Sequence, residues 1–458
     1  MKLQSINPHD QSVLGELEVS TAEEVAAVVS KAKKAFETWQ FTPIEERISY
    51  IKKFRESVEA RKDELAKLIS QEMGKPLSQA TGEIEMELPY IDYYIEQGPE
   101  NLKEEIVYQE GTTTFKTSFE PYGVCVCIAP WNFPLIMFDS GVFPALIAGN
   151  TVVFKPSEFS SLSQKMCFEL LQATGIPDGV LSLVIGGGDV GGMLVDSPVD
   201  LVWFTGSTKV GQEIYKKCGE KFIKGLMEMG GNSAGIVFAD ADIDAAVESI
   251  YFSRFWCTGQ VCNAVKRLFV EKPIFDEFVN KLVEKIRSVT TGNPMDDKDL
   301  GPLVAAKQLK MLEDQVQDAL SKGATVKVGG KRPEEEELKD GNYYLPTILT
   351  DVTLDMKVMT DEVFGPVLPA FAFETDEEAL ELANNTMYGL ANEVYTKNEK
   401  RAETFVRKLQ SGVVAVNTFD YFKASCPFGG YKKSGIGREY GKIGMQEFAQ
   451  VKMTAVNK

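Results

Sequence analysis

From residue 20 to about residue 100, the apolar positions of this chain recur at helical spacing. Thr21 and Glu24 form a capping box ahead of an Ala/Val-rich amphipathic run, and Pro43 opens a second run through Ile48, Ile51, Phe54 and Val58. Two helices are therefore expected over 20–72 and a further one over about 79–97, carrying Leu88, Ile91 and Tyr94. Residues 104–121 change to alternation, with Ile106, Tyr108 and Phe115 between polar neighbours, which is the pattern of an exposed hairpin. From Pro121 short apolar runs alternate with helix-length segments. Strands are expected at 124–128, 151–154, 181–185, 201–205 and 223–228, with helices at 135–148, 163–174, 188–195 and 208–218. A second such region starts near 231. It contains a helix over 243–257 capped by Asp240 or Asp242, a strand at 266–270, helices at 274–289 and 304–321, and strands near 324–328 and 367–373. This alternation predicts α/β architecture with parallel sheets covered on both faces, and ligands beyond the carboxyl ends of the strands. There are no internal repeats, and the acidic run Glu334–Glu337 reads as a solvated loop or helix start.

Composition narrows the function classes. The 458 residues, 44% hydrophobic and 25% charged, suit a soluble protein of roughly three domain-sized units or two large lobes. A net charge of 49 − 67 = −18 argues against nucleic-acid binding but leaves room for a small anionic cofactor at a helix N-terminus. Seven cysteines without a C-x-x-C pair fit a reducing compartment. Neither a signal peptide nor a membrane helix is apparent, so a cytoplasmic location without membrane association is expected. The only histidine is His9. Ser–His and Cys–His catalysis and histidine metal sites are thereby removed, no metal is expected, and a carboxylate must serve as any general base.

The chemistry concentrates in Glu228-Met-Gly-Gly231 and Gly259-Gln-Val-Cys262. A thiolate at Cys262 and a water-activating carboxylate at Glu228 could make a thioester and hydrolyse it. The glycine-rich turns say less. Gly186-Gly-Gly-Asp-Val-Gly191 has the form G-x-G-x-x-G but opens a short helix soon ended by Pro198, so an ordinary turn is the better reading. Gly206-Ser-Thr-Lys-Val-Gly211 has Gln212 and Glu213 where a P-loop needs Lys and Ser/Thr, yet it sets Ser207 at a helix N-terminus suited to a pyrophosphate.

Six motifs in order, Pro130-Trp-Asn-Phe-Pro134, Phe204-Thr-Gly-Ser207, Glu228-Met-Gly-Gly231, Gly259-Gln-Val-Cys262, Glu362-Val-Phe-Gly-Pro366 and Pro427-Phe-Gly-Gly430, resemble the aldehyde dehydrogenase superfamily over nearly the whole chain. The resemblance implies that Cys262 attacks an aldehyde, Asn132 helps hold the oxyanion, and Glu228 activates the deacylating water. It implies NAD binding by Ile128, Pro130, Trp131, Lys155, Ser157, Glu158, Gly206, Ser207, Glu362 and Phe364. A carboxylate at Glu158 accepts from a ribose 2′-OH and repels a 2′-phosphate, which favours NAD over NADP while leaving NADP possible. The implied layout is a Rossmann-like cofactor domain (1–102, 122–230 and 432–447), an α/β catalytic domain (231–431), and oligomerisation elements at 103–121 and 448–458. A homodimer or homotetramer is expected, since a half-exposed hairpin with a free edge invites pairing with another subunit.

Substrate is the open part. Relatives acting on succinate semialdehyde usually hold its carboxylate with arginines eight residues after the asparagine and six before the cysteine, where this chain has Ser140 and Trp256. Trp256, Phe419, Tyr421 and Phe422 suggest an aromatic entrance for apolar or aromatic aldehydes, or for ω-amino and betaine-type ones by cation–π contact, with Asp92 or Glu96 as the acid. The alternatives are a succinate-semialdehyde-type enzyme, a CoA-acylating enzyme, disfavoured by the presence of Glu228, and a non-enzymatic structural homologue. Cys257 could form a protective disulfide with Cys262, although packing is the commoner role for such a cysteine.

Overall fold

The computed structural model describes all residues, 1–458. Its first sheet has six strands in the spatial order Gly435–Ile436, Lys224–Glu228, Leu201–Thr205, Val124–Ile128, Thr151–Lys155, Leu181–Leu183. All pairings are parallel except that of Gly435–Ile436. Every residue of Val124–Ile128 and of Thr151–Lys155 is buried, because helices cover both faces. Alternate side chains divide between two cores. Cys125, Cys127, Val152, Phe154 and Trp203 pack with the helices Ile44–Ala60, Leu77–Asn101 and Pro134–Ala148. Val124, Val126, Val153 and Val202 face the helices Ala22–Trp39 and Gly188–Asp196. The chain winds outward from Val124–Ile128 in one direction and returns on its other side with Leu201–Thr205. That reversal opens a crevice at the carboxyl ends of these two strands.

The second sheet has seven strands, in the order Thr325–Val328, Thr347–Thr350, Val367–Phe373, Val265–Glu271, Ser233–Val237, Ala391–Tyr395, Val413–Val416, antiparallel only at the first pair. Lys224–Glu228 of the first sheet runs directly into Ser233–Val237 of the second, so Glu228-Met-Gly-Gly is the crossing between them. A third sheet joins Glu105–Glu110, Thr113–Pro121 and Ala449–Asn457, and an N-terminal hairpin pairs Lys2–Ile6 with Val13–Glu18. No helix is long and apolar enough to cross a membrane.

Several local expectations change. Three helices, not two, occupy 20–72: Ala22–Trp39, Ile44–Ala60 and Lys62–Met73. The last two are divided by Arg61 alone, at φ −115° and ψ 23°, with no glycine or proline to announce the break. The helix expected over 79–97 extends from Leu77 to Asn101 through Pro89 and Pro99, held by a buried face that includes Ile84, Ile91 and Tyr94. The strands Thr347–Thr350, Ala391–Tyr395 and Val413–Val416 add to those read from the sequence. One edge of the exposed hairpin is not free, because Ala449–Asn457 pairs along the whole of Thr113–Pro121.

Candidate active site

The segment leading to Cys262 is held in an unusual backbone conformation. After the helix Ile243–Phe255, which Asp242 caps through the Ala245 N–H, Cys257 (φ 54°), Thr258 (φ 55°) and Gly259 (φ 73°) are all left-handed. Two non-glycine residues in that region cost free energy and persist only when tertiary contacts fix them. Those contacts are present. The Cys257 N–H donates to Gln79 Oε1 at 2.9 Å, Thr258 Oγ1 to Gly301 O at 3.1 Å, and Gln260 Oε1 accepts from the Val304 N–H at 3.0 Å. Only glycine fits at 259, since a Cβ there would lie 2.4 Å from Gly365 O. Asn132 Nδ2 donates to Gln260 O at 3.0 Å, tying the Pro130-Trp-Asn-Phe-Pro134 turn to the cysteine segment.

Cys262 is half-buried in the turn three residues before the second sheet's Val265–Glu271. Burial pushes its thiol up to about 12; Lys266 opposes this, while Glu362, Glu228 and Glu439 add to it. Cys257 and Cys262 are both free thiols. Cys257 is fully buried and directs its Sγ at Asn132 O, 3.8 Å away.

Glu228 is buried and neither carboxylate oxygen completes a hydrogen bond. Burial and the charge of Glu439 raise its pKa well above the ordinary carboxyl range, against smaller lowering effects of Arg438 and the Gly430 N–H. Its side chain lies against Gly429, where a Cβ would come within 2.5 Å of Oε1. Glu439 belongs to none of the motifs read from the sequence. This buried acid, raised to about 7 chiefly by burial, accepts from Trp203 Nε1 at 2.7 Å.

Residues proposed for the cofactor collect at the carboxyl ends of the first sheet. Ile128 and Lys155 end neighbouring strands, followed by Pro130 with Trp131 and by Ser157 with Glu158; Gly206 and Ser207 follow Leu201–Thr205. The Lys155 ammonium is buried and its one hydrogen bond is to Pro156 O, 2.9 Å away. An ammonium has three donors, so two remain for outside acceptors such as ribose hydroxyls. Ser157 Oγ already accepts from the Phe159 N–H at 3.2 Å. Ser207 is the N-cap of Thr208–Lys221 but makes no side-chain cap bond and is exposed, leaving that helix terminus open to an anion. Glu362 accepts from the Gly231 N–H at 3.0 Å and stands 3.5 Å from Lys266 Nζ. Phe364 meets Trp131 edge-on with ring centroids 5.5 Å apart. These groups fit a dinucleotide with an anionic centre and two ribose diols.

On the substrate side the rings form two patches. Trp256 contacts Phe133 at 5.1 Å and Phe252 at 5.8 Å, and Phe252 in turn meets Phe419 at 4.5 Å. Phe422 stacks on Tyr90 at 5.6 Å and touches Phe428 at 5.1 Å. Phe252 was not singled out from the sequence, although its position four residues before Trp256 on a helix was the signal. Glu96 does not join these rings. It is exposed and lies one turn beyond Asp92, whose carboxylate is held by Arg55 at 3.0 Å. Both acids are therefore on the far side of the helix from Tyr90. Ser140 is buried without a partner, close to the buried acids Glu87 and Asp139, whose pKa values burial raises. No guanidinium stands at either 140 or 256.

The family model described as "Aldehyde dehydrogenase family" matches residues 1–454. The chain is 37% identical to betaine aldehyde dehydrogenase of Bacillus subtilis (strain 168), covering 98% of this chain and 92% of that one. It is 36% identical to the peroxisomal aminoaldehyde dehydrogenase 1 of Pisum sativum, again covering 98% of this chain and 92% of that one. Its structure is similar to that of betaine aldehyde dehydrogenase from Staphylococcus aureus in complex with NAD+, with a TM-score of 0.96, 34% identity, and coverage of 100% of this chain and 92% of that chain.

Proposed function

Because the chain belongs to the aldehyde dehydrogenase family and is an NAD(P)-dependent aldehyde dehydrogenase, we propose that it oxidises apolar or aromatic aldehydes, or ω-amino and betaine-type ones, to carboxylic acids, with Cys262 as nucleophile. The observation that carries this reading is the joining of the fixed cysteine segment to the Asn132 amide, beside a wall of aromatic rings and without an arginine at 140 or 256. The Cys262 thiolate adds to the carbonyl carbon. The second Asn132 N–H and the Cys262 backbone N–H take the developing oxyanion. Lys155 and Glu158 hold the adenosine-side ribose, the Ser207 helix terminus the pyrophosphate, and Glu362 with Phe364 the nicotinamide end. Nicotinamide held there would supply the hydride acceptor that oxidation of the Cys262 adduct to a thioester requires. Glu228 then takes the proton of the attacking water, which its unsatisfied oxygens and raised pKa favour.

Glu158 supports a preference for NAD over NADP. The wholly exposed strand Glu105–Glu110 and the exposed Val451 and Met453 of Ala449–Asn457 support self-association as a dimer or tetramer. Seven unpaired cysteines support a reducing, cytoplasmic setting. The test is NADH formation across straight-chain, aromatic, ω-amino, trimethylammonium and carboxylate-bearing aldehydes. The reading expects the first four to be turned over and the carboxylates to be poor. Selective turnover of carboxylate-bearing aldehydes would refute it.

A further inference from the structure

We propose that Lys266 is a positioning residue for Cys262: its buried ammonium pins the main chain that carries the thiol and supplies the positive charge against which the thiolate forms. The inference rests on the reading of Cys262 as nucleophile. A cysteine nucleophile needs a neighbouring base or cation, and this chain has no histidine for it. His9, the only one, bonds the Tyr343 hydroxyl at 2.8 Å.

Lys266 lies four residues after Cys262 on the strand Val265–Glu271, and its side chain turns back under the loop, fully buried. Its Nζ donates to Val261 O at 2.8 Å and to Cys262 O at 2.5 Å, so it grips the two peptide units that flank the Cys262 α-carbon. The same ammonium stands 3.5 Å from Glu362 Oε1 and 5.9 Å from the Phe364 ring centroid, joining the nucleophile segment to the residues proposed to hold the nicotinamide end. A buried ammonium with two main-chain carbonyls and a carboxylate around it is a satisfied cation rather than a stray one.

The charges that face Cys262 are Lys266, Glu362, Glu228 and Glu439, and Lys266 is the only cation among them. Lys266 is itself faced by Glu362, Arg254 and Cys262; burial lowers it to about 8, so it carries its proton at neutral pH. With three acids and burial all favouring the neutral thiol, removal of this one cation must lower the thiolate fraction at neutral pH, where Lys266 is charged.

The experiment follows the rate of Cys262 alkylation by iodoacetamide against pH, without cofactor or aldehyde, in the wild-type protein and in Lys266→Met, Lys266→Gln and Lys266→Arg. Lys266→Gln keeps a donor for the carbonyls while removing the charge, and so separates anchoring from electrostatics should Lys266→Met not fold. The expected result is a fall of roughly ten- to a thousandfold in the alkylation rate at neutral pH for Met and Gln, the equivalent of the one to three units an adjacent opposite charge is worth, with Arg restoring the wild-type rate. An unchanged alkylation rate at neutral pH in folded Lys266→Gln overturns the proposal. Cys262→Ser, assayed alongside for aldehyde oxidation, distinguishes the two claims. Retained turnover refutes Cys262 as the nucleophile, whereas an inactive Cys262→Ser with an unchanged Lys266→Gln alkylation rate refutes only the role given to Lys266.

Discussion

The Asn132 amide is expected to do two separable jobs, and Asn132→Ala removes both. One of its two N–H groups already donates to Gln260 O at 3.0 Å in a buried setting. Losing that donor leaves a buried carbonyl unpaired and should lower stability by about 1–3 kcal/mol. The other N–H is free for the oxyanion. Loss of one such donor costs on the order of 10²–10³ in kcat, about 3–4 kcal/mol at the transition state. The Cys257 contact runs to the Asn132 main-chain carbonyl and survives the substitution. The cysteine segment should therefore stay in place, which unchanged alkylation of Cys262 by iodoacetamide would report. The assay pairs steady-state kcat with thermal melting. The expected outcome is a modest drop in Tm beside a kcat reduced at least a hundredfold, on the order of one lost oxyanion donor. A kcat that falls no further than the alkylation rate would refute the oxyanion role and reduce Asn132 to a loop tether.

Three further outcomes follow from the same geometry. Glu393 is fully buried and its pKa is raised by burial from 4.5 to about 7; between those values the folded state holds a proton that the unfolded state has lost. Glu393 should then contribute a fall in stability with rising pH of about 1.4 kcal/mol per unit, roughly 3 kcal/mol in all, and urea denaturation of Glu393→Gln should show a slope shallower than wild type by that amount. Glu158→Ala should raise KM for NAD and narrow the kcat/KM gap between NAD and NADP; an unchanged ratio would remove Glu158 from the ribose site. Phe252→Ala, which deletes the ring between Trp256 and Phe419, should raise KM for benzaldehyde roughly two- to tenfold, as expected for a lost aromatic contact of about 0.5–1.5 kcal/mol, with little change in kcat.

The sequence made the α/β alternation and the motif positions readable for a physical reason. Strands buried on both faces, such as Val124–Ile128, appear as short continuous apolar runs, and their turns carry the glycines and prolines that punctuate them. The break at Arg61 was invisible because no helix-breaking residue marks it. Val413–Val416 escapes a sequence reading because four residues, three of them half-buried, give too little pattern. At the site, Cys262, Asn132 and Glu228 could be named from residue types and motif order. Lys266 and Glu439 could not, because their significance lies in which groups the fold brings against them: two carbonyls and Glu362 in one case, Trp203 and Glu228 in the other. Glu96 failed for the converse reason. A charge on a helix near a pocket in sequence faces the pocket on only one side of the helix, and the pairing of Asp92 with Arg55 shows that this side points elsewhere.

The most direct test of the central claim is a rapid-quench experiment on Glu228→Gln with NAD and a good aldehyde, followed by mass spectrometry of the Cys262 peptide. The account predicts a burst of NADH stoichiometric with active sites, then near-arrest, and an acyl group on Cys262. Turnover at the wild-type rate, or arrest without an adduct on that peptide, would contradict it.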